Sequence, residues 1–536
     1  MKTKKYLFLF ISLVTLPFML VSCYNDLNTV PIDPDEVTAD VVFSNDSSYE
    51  SFIAKIYSGL SISGLQGPAG KPDIVGLDEG SQASYLRMLW NLQELPTEEA
   101  VCAWNDQTIK NFHGLAWTAS DVFIKGFYYR LYYQITLASE FLRETTDAKL
   151  ATRNTSDALK ATIKEYRAEA RFLRALSYFH VLDHFRQGPF VTEASIIGSI
   201  PPGMATAPQI FDYVETELKA IDADLMTPWI GFDAANYGRA NKAAAKTLLA
   251  KLYLNADIYI GTAKNTECIA ACADVIASGY TLEPVYANLF KADNQNSPEM
   301  IFPMVFDKDN LQSWGGMMFL MSSAVNADLQ SGIAAPGAWQ GNHATKSVYT
   351  RFAGNEAVDE RCALLNISYN KLNMTDIGEF KEGVQVVKYS NMTSTGVNSG
   401  GSFPNTDFPL FRLADVYLMY AEAVLRGGTG GSTATALSYI QAIHDRAYIV
   451  DAVNRPAVWT DVSLAFLLEE RGRELLWEAQ RRTDLVRFGK LTSTDYLWDF
   501  KGGVQAGAGV DAKYNIFPIP SADINANPNL SQLEDY

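Results

Sequence analysis

Glu470-Arg471-Gly472-Arg473-Glu474-Leu475, followed by Glu478, Arg481-Arg482, Asp484-Leu485, Arg487 and Gly489, alternates acids and bases at close spacing. Within Leu464–Phe488 the pairs Glu469/Arg473 and Glu478/Arg482 stand four residues apart. That spacing predicts ion pairs on one face of a charge-laced helix. Such a helix does not stand alone in water, so the flanking sequence has to supply others that pack with it.

It does so on both sides. Phe52, Ile53, Ile56, Tyr57 and Leu60 mark a first helix, with cap candidates from Asn45 to Ser48. Ser120 or Asp121 opens a long helix through Arg143, striped by Phe123, Phe127, Leu131, Ile135 and Leu142. Asp157 is expected to cap another that runs to about His184. Further helical periods occupy about 207–225, 240–260, 264–278, 409–426, 433–449 and 461–489. Helix pairs joined by short Gly, Pro or Asn turns suggest a mainly α, tetratricopeptide-like scaffold, although no strict repeat consensus is present. Between about 281 and 408 the texture changes to Gly, Asn, Ser and Pro, with short β-like runs at Met300–Phe306 and Val384–Tyr389. A long irregular insertion of this kind usually carries function. The expected organisation is a leader over 23–46 and one domain over 47–536, with helical units at about 47–280 and 409–490.

Composition narrows the function. With 48% apolar and 20% charged residues the chain can build a large core. Its net charge of −17 repels phosphate backbones, so nucleic acid is excluded as a partner. Lys2, Lys4 and Lys5 precede the apolar run Tyr6–Val21, which is too short and too interrupted by Pro17 to span a bilayer comfortably. Leu20-Val21-Ser22-Cys23 fits a bacterial lipobox, which makes residues 1–22 a signal peptide and Cys23 the lipid anchor. An ordinary secretory signal with a chance cysteine is the competing interpretation. Acyl chains contribute roughly 0.8 kcal/mol per buried CH₂, enough for durable tethering when two or three are attached. Cys268 and Cys272 share a helix face but lack the two further ligands zinc needs, and like Cys102 and Cys362 they are expected to be buried thiols.

No reaction emerges. His180 and His184 have zincin spacing without the glutamate that must follow the first histidine. Gly507-Ala508-Gly509-Val510-Asp511-Ala512 imitates a dinucleotide fingerprint but opens no helix. The adjacent carboxylates Glu98-Glu99 and Glu469-Glu470 point apart on a helix, whereas glycoside hydrolysis needs two facing one bond. No cofactor is called for.

Six motifs in order resemble the SusD/RagB family of Bacteroidetes outer-membrane lipoproteins. They are Cys23-Tyr24-Asn25-Asp26-Leu27 with Pro31; Glu165–Ala175 with Tyr178-Phe179 and Gly188-Pro189; Gly238-Arg239-Ala240; Phe411–Ala423; the Glu470–Gly489 run; and Phe517-Pro518-Ile519-Pro520 with Asn527-Pro528. The final Ser531–Tyr536 departs from the family's usual ending. The resemblance implies a non-catalytic cell-surface protein of the outer membrane. Such a protein would capture oligosaccharides or polysaccharide and hand them to a SusC-like TonB-dependent transporter. Peptide or glycopeptide cargo is the alternative, and a glycoside hydrolase a distant one. The charged run at Glu470–Gly489 is expected to lock helices rather than touch ligand.

A sugar binder offers aromatic planes to apolar C–H faces and amides or charges to hydroxyls. In the family the platform aromatics come from the loop after the first helix and from the insertion, regions that here hold Tyr85, Trp90, Asn91, Trp104, Trp314 and Trp339. Trp314 beside Gly315-Gly316, and Trp339 within Pro336–Asn342, have few neighbours to bury them. Trp90, Trp314 and Trp339 are therefore the stacking candidates, with Asn91, Asp73, Arg87 and Gln340 for hydroxyls. Trp117, Trp229, Trp459, Trp477 and Trp498 are assigned to packing.

Overall fold

A run of apolar residues at helical spacing needs a polar residue to start it, and most starts fall where the sequence puts them. The computed structural model describes residues 39–536 except 69, 196–197, 199, 368–370 and 449–461. The expected lipid-anchor residue Cys23, the expected leader up to residue 38 and Trp459 lie outside the described residues. The described residues up to Tyr49 form a small unit in which Phe43 packs on Tyr49, and Glu50–Tyr536 forms a second, large one.

Helix α1 spans Ser47–Ser58 and α2 Tyr85–Glu94. Helix α3 (Val122–Glu144) begins at Asp121, whose carboxylate accepts from the amides of Phe123 and Ile124 at 2.9 and 3.3 Å. Two of the donors a helix start leaves unpaired are thereby satisfied. Ser156, not Asp157, caps α4 (Asp157–Phe185): its Oγ accepts from Leu159 N–H at 3.2 Å. Asp157 is the first helical residue instead, where its charge favours the helix dipole. Helices α5 (Ala207–Ala220), α6 (Lys242–Leu254) and α7 (Asn265–Ile276) follow. The period read over 240–260 is broken at Asn255, whose Nδ2 donates to Lys251 O at 2.9 Å while Oδ1 accepts from Arg487.

The insertion is less irregular than its composition suggests, because it contains α8 (Met317–Ala324), buried along its whole length. After it come α9 (Leu413–Leu425), α10 (Thr433–Ala447), α11 (Leu464–Glu474) and α12 (Arg481–Arg487). Packing runs along the chain: α2 on α3, α3 on α4, α4 on α5, then α6 on α7, α7 on α9 and α9 on α10. This serial helix-on-helix scaffold is the mainly α, tetratricopeptide-like architecture expected.

Strands are few and short. They are β1 (Val101–Cys102), β2 (Met300–Met304), β3 (Asn342–His343) and β4 (Phe408–Arg412), with further two-residue pieces elsewhere. Strand β2 pairs antiparallel with β4, Met300 opposite Arg412 and Met304 opposite Phe408. The insertion therefore leaves and rejoins the scaffold at one place. Residues 409–412, read as helix, belong to this strand.

The single helix expected over 461–489 is two. Between α11 and α12 the backbone takes left-handed φ at Trp477 (+61°) and Ala479 (+57°). The turn drives the Trp477 indole inward, where Nε1 donates to Glu99 O at 2.6 Å. It also re-aims the charges. Glu469 pairs with Arg351 (3.1 Å) rather than Arg473, and Glu478 with Arg412 and Lys388 (both 2.6 Å) rather than Arg482. Arg471 bridges Asp415 and Asp484, Arg361 joins Glu470 to Glu474, and Arg487 joins Glu422 to Asp484. Burial opposes the charge on Glu474, but Arg446, Arg412 and Arg361 overcome it and hold that carboxyl well below the usual range. The charged signature thus fastens α9, α10, α11 and α12 to β4 from the inside.

Candidate functional site

Two glycine-rich turns of the insertion bring their tryptophans together. Trp314 precedes Gly315-Gly316 and α8; Trp339 follows α8 and is anchored by its amide donating to Ser322 O at 2.8 Å. The ring centroids lie 6.0 Å apart with planes inclined at 44°. Trp314 is 39% exposed and rests on Phe403, itself buried, at 4.9 Å. Glycine is required around both rings. A Cβ at Gly337 would stand 2.8 Å from Trp339 Nε1, one at Gly80 2.8 Å from Trp314 Cβ, and one at Gly316 2.3 Å from Phe306. The turn after Trp339 is held in left-handed conformation at Gln340 (φ +53°) and Gly341 (φ +126°), and Trp104 Nε1 donates to Gln340 O at 2.9 Å.

The other expected contacts divide. Trp90 is corrected: it is fully buried, edge-on to Trp477 at 5.1 Å and Phe319 at 5.5 Å, and offers no ring face. All ten residues of α2 are buried, because α3, α8 and α12 cover it from different sides. Asn91, on the same helix and 2% exposed, is removed from the surface with it. Arg87 is also enclosed, its guanidinium 4.2 Å from the Phe319 ring and 5.6 Å from Trp104, with Nη1 donating to Gly80 O at 2.7 Å. Burial lowers its pKa to about 10. It ties α2 to the Gly80 loop. Asp73 accepts from Lys55, which lines a mostly apolar groove of about 490 Å³ with Leu60, Leu65, Met304 and Leu311. Gln340 stands at the platform, its Nε2 donating to Phe380 O at 2.8 Å.

Two aromatic residues escaped sequence reasoning. Phe403 backs Trp314, and Phe380, at the edge of exposure, faces Gln340 through its carbonyl. Phe403 follows Gly400-Gly401-Ser402, the same glycine-flanked setting that singled out Trp314. Applying that rule to phenylalanine would have found it. Trp117, Trp229, Trp477 and Trp498 are buried, as their helical surroundings imply.

Groups with catalytic residue types are engaged elsewhere. His180 Nδ1 meets Tyr85 Oη at 2.6 Å and His184 Nδ1 meets His180 O at 2.9 Å; burial lowers their pKa values to about 3 and about 4. Glu98 and Glu99 face Arg481 and Arg351 in the core. Cys102, Cys268, Cys272 and Cys362 are free and buried. Among the described residues no cluster of three or more His, Cys, Asp or Glu could hold a metal ion.

The whole chain aligns with the starch-binding protein SusD of Bacteroides thetaiotaomicron, 33% identical over 590 aligned positions that cover all of both proteins. This chain belongs to the SusD family. The family model, described as SusD family, matches residues 347–536. SusD-like protein P25 of Formosa agariphila is 26% identical over 409 residues, covering 68% of this chain and 72% of the relative. Among solved structures, a laminarin-binding SusD-like protein superposes with TM-score 0.68 at 21% identity, over 92% of this chain and 100% of the other. Surface glycan-binding protein A of Bacteroides thetaiotaomicron, in complex with laminarihexaose, gives 0.65 at 18% identity, over 91% and 99%. At those identities the superpositions establish the SusD fold.

Proposed function

We propose that this SusD-family protein is a binding protein rather than an enzyme. It captures oligosaccharide or polysaccharide at the cell surface and passes it to a SusC-like TonB-dependent transporter, tethered to the outer membrane through Cys23. The observation that carries the reading is the Trp314–Trp339 pair on glycine-rich turns, Trp314 exposed with Phe403 behind it and Trp339 partly buried beside it. A ring face against the C–H face of a sugar buries apolar area on both sides at little cost in side-chain entropy. The 44° between the planes favours a curved ligand, because a flat ribbon cannot lie on both rings. The full-length relative is named as starch-binding, which makes a coiled α-glucan the first polymer to test.

The test is affinity electrophoresis of the protein from residue 24 onward through gels containing starch, laminarin, other polysaccharides or none. Retardation in the starch gel is expected. Equal mobility in every gel, with short maltooligosaccharides and laminarioligosaccharides also giving no heat of binding, would overturn the reading.

A further inference from the structure

Phe403 and Trp339 flank the Trp314 ring, but the backbone that carries it is a turn with glycine on its C-terminal side, and a ring on a loose turn would lose entropy on binding. Beneath it lies Glu79, a carboxylate 9% exposed in a loop that precedes α2. One oxygen, Oε1, accepts from Ser63 Oγ at 2.7 Å and from Ser313 Oγ at 3.0 Å. Ser63 belongs to the loop after α1 and Ser313 directly precedes Trp314, so this single oxygen joins segments 250 residues apart in sequence. Neighbouring ties reinforce the same turn. Ser84 Oγ donates to Gly315 O at 2.7 Å, and Gly80 approaches so closely that a Cβ there would stand 2.8 Å from the Trp314 Cβ. These hydrogen bonds offset part of the cost of burying the charge, since an unpaired buried carboxylate is costly.

We infer that Glu79 is the positioning residue of the aromatic platform, clamping the Ser313–Gly315 turn to the loop after α1 so that the Trp314 ring is held ready for ligand. The inference rests on the glycan-binding reading for its purpose, though not for its geometry. The groups facing Glu79 are Asp78 beside it, Arg87 from α2 and Arg130 from α3. Arg130 is itself committed, its Nε to Ala83 O at 2.7 Å and Nη2 to Ser63 O at 2.8 Å. Burial raises the Glu79 pKa, opposed by the Ser63 and Ser313 hydroxyls and by the Trp314 amide. Protonation therefore arrives at a higher pH than for an ordinary glutamate and weakens the clamp by replacing charge-assisted hydrogen bonds with neutral ones.

The experiment labels the protein with 5-fluorotryptophan and follows Trp314, assigned with Trp314→Phe, by ¹⁹F NMR from pH 8 down to the acid limit of the folded protein, without ligand. Wild type should give a narrow Trp314 line that shifts as the pH falls, while the buried Trp90 line stays in place. Glu79→Gln, which keeps the carbonyl acceptor, should give a pH-independent line near the acid limit of wild type. Glu79→Ala should broaden the line or move it toward solvent-exposed tryptophan and weaken retention in polysaccharide gels about tenfold. A Trp314 line unchanged in position, width and pH response in both variants would overturn the inference. If the line moves as expected but retention does not, the clamp stands and glycan binding at Trp314 is what fails.

Discussion

Replacing Arg412 by methionine tests whether the buried charges hold the scaffold together. Arg412 donates from Nε to Glu478 (2.6 Å), from Nη1 to Glu299 (2.8 Å) and Glu474 (2.7 Å), and from Nη2 to Glu478 (2.8 Å) and Glu474 O (2.8 Å). Removing one member of a buried pair costs about 3–5 kcal/mol, because the partner is left charged and desolvated. Three carboxylates lose a partner here, but none is left alone. Arg446 still reaches Glu299 and Glu474, Arg361 reaches Glu474, and Lys388 reaches Glu478. A loss of about 4 kcal/mol at pH 7.5 is expected, measured by urea denaturation with an unchanged slope. The loss should shrink on acidification. In wild type the depressed pKa of Glu474 gives stability that is full above the unfolded value and disappears as pH falls through the folded one. Without Arg412 one of the cations that hold the Glu474 carboxyl down is gone and that group protonates more readily, so the variant's deficit narrows as the pH falls. Arg412→Met combined with Glu478→Met should cost less than the two single changes added together. A deficit under about 1 kcal/mol, or strict additivity of the pair, would refute the reasoning.

Trp90→Ala should destabilise by about 3–5 kcal/mol while the folded fraction keeps its ligand affinity, since the ring is core and not platform; urea denaturation and gel retention read the two effects separately. His113 is buried, with burial first and neighbouring His343 second lowering its pKa to about 4. Neutral in the fold and charged when unfolded, it withdraws stability as pH falls through the unfolded value near 6.5. His113→Phe should therefore gain about 2 kcal/mol on wild type at pH 5 relative to pH 7.5, measured as the change in unfolding free energy. A gain independent of pH would show that His113 titrates normally.

The helical scaffold was legible because its signals are local. Asp121 begins α3 where the apolar stripe starts, and the alanine-rich stretch before Leu254 can only be a packed helix. What failed were features set by distant partners. The break at Trp477 depends on Glu99, far earlier in the chain, and nothing in the i,i+4 spacing of Glu478 and Arg482 announces that Glu478 will be captured by Arg412 and Lys388. Trp90 was misplaced for the same reason. Its immediate neighbours allow exposure, and only the packing of α3, α8 and α12 around α2 removes it from solvent. Trp314 and Trp339 could be singled out because glycine neighbours are a local property. Their meeting at 6.0 Å, and the Glu79 node beneath, require the tertiary fold.

The central claim is that the Trp314–Trp339 pair is the glycan platform. Its most direct test is isothermal titration of the polymer that retards wild type against a folded Trp314→Ala/Trp339→Ala variant. Loss of two central stacking rings should cost at least about 2 kcal/mol, an affinity drop of roughly 30-fold or more, with unfolding unchanged. Affinity within a factor of about two of wild type, in a variant that unfolds like wild type, would contradict the account.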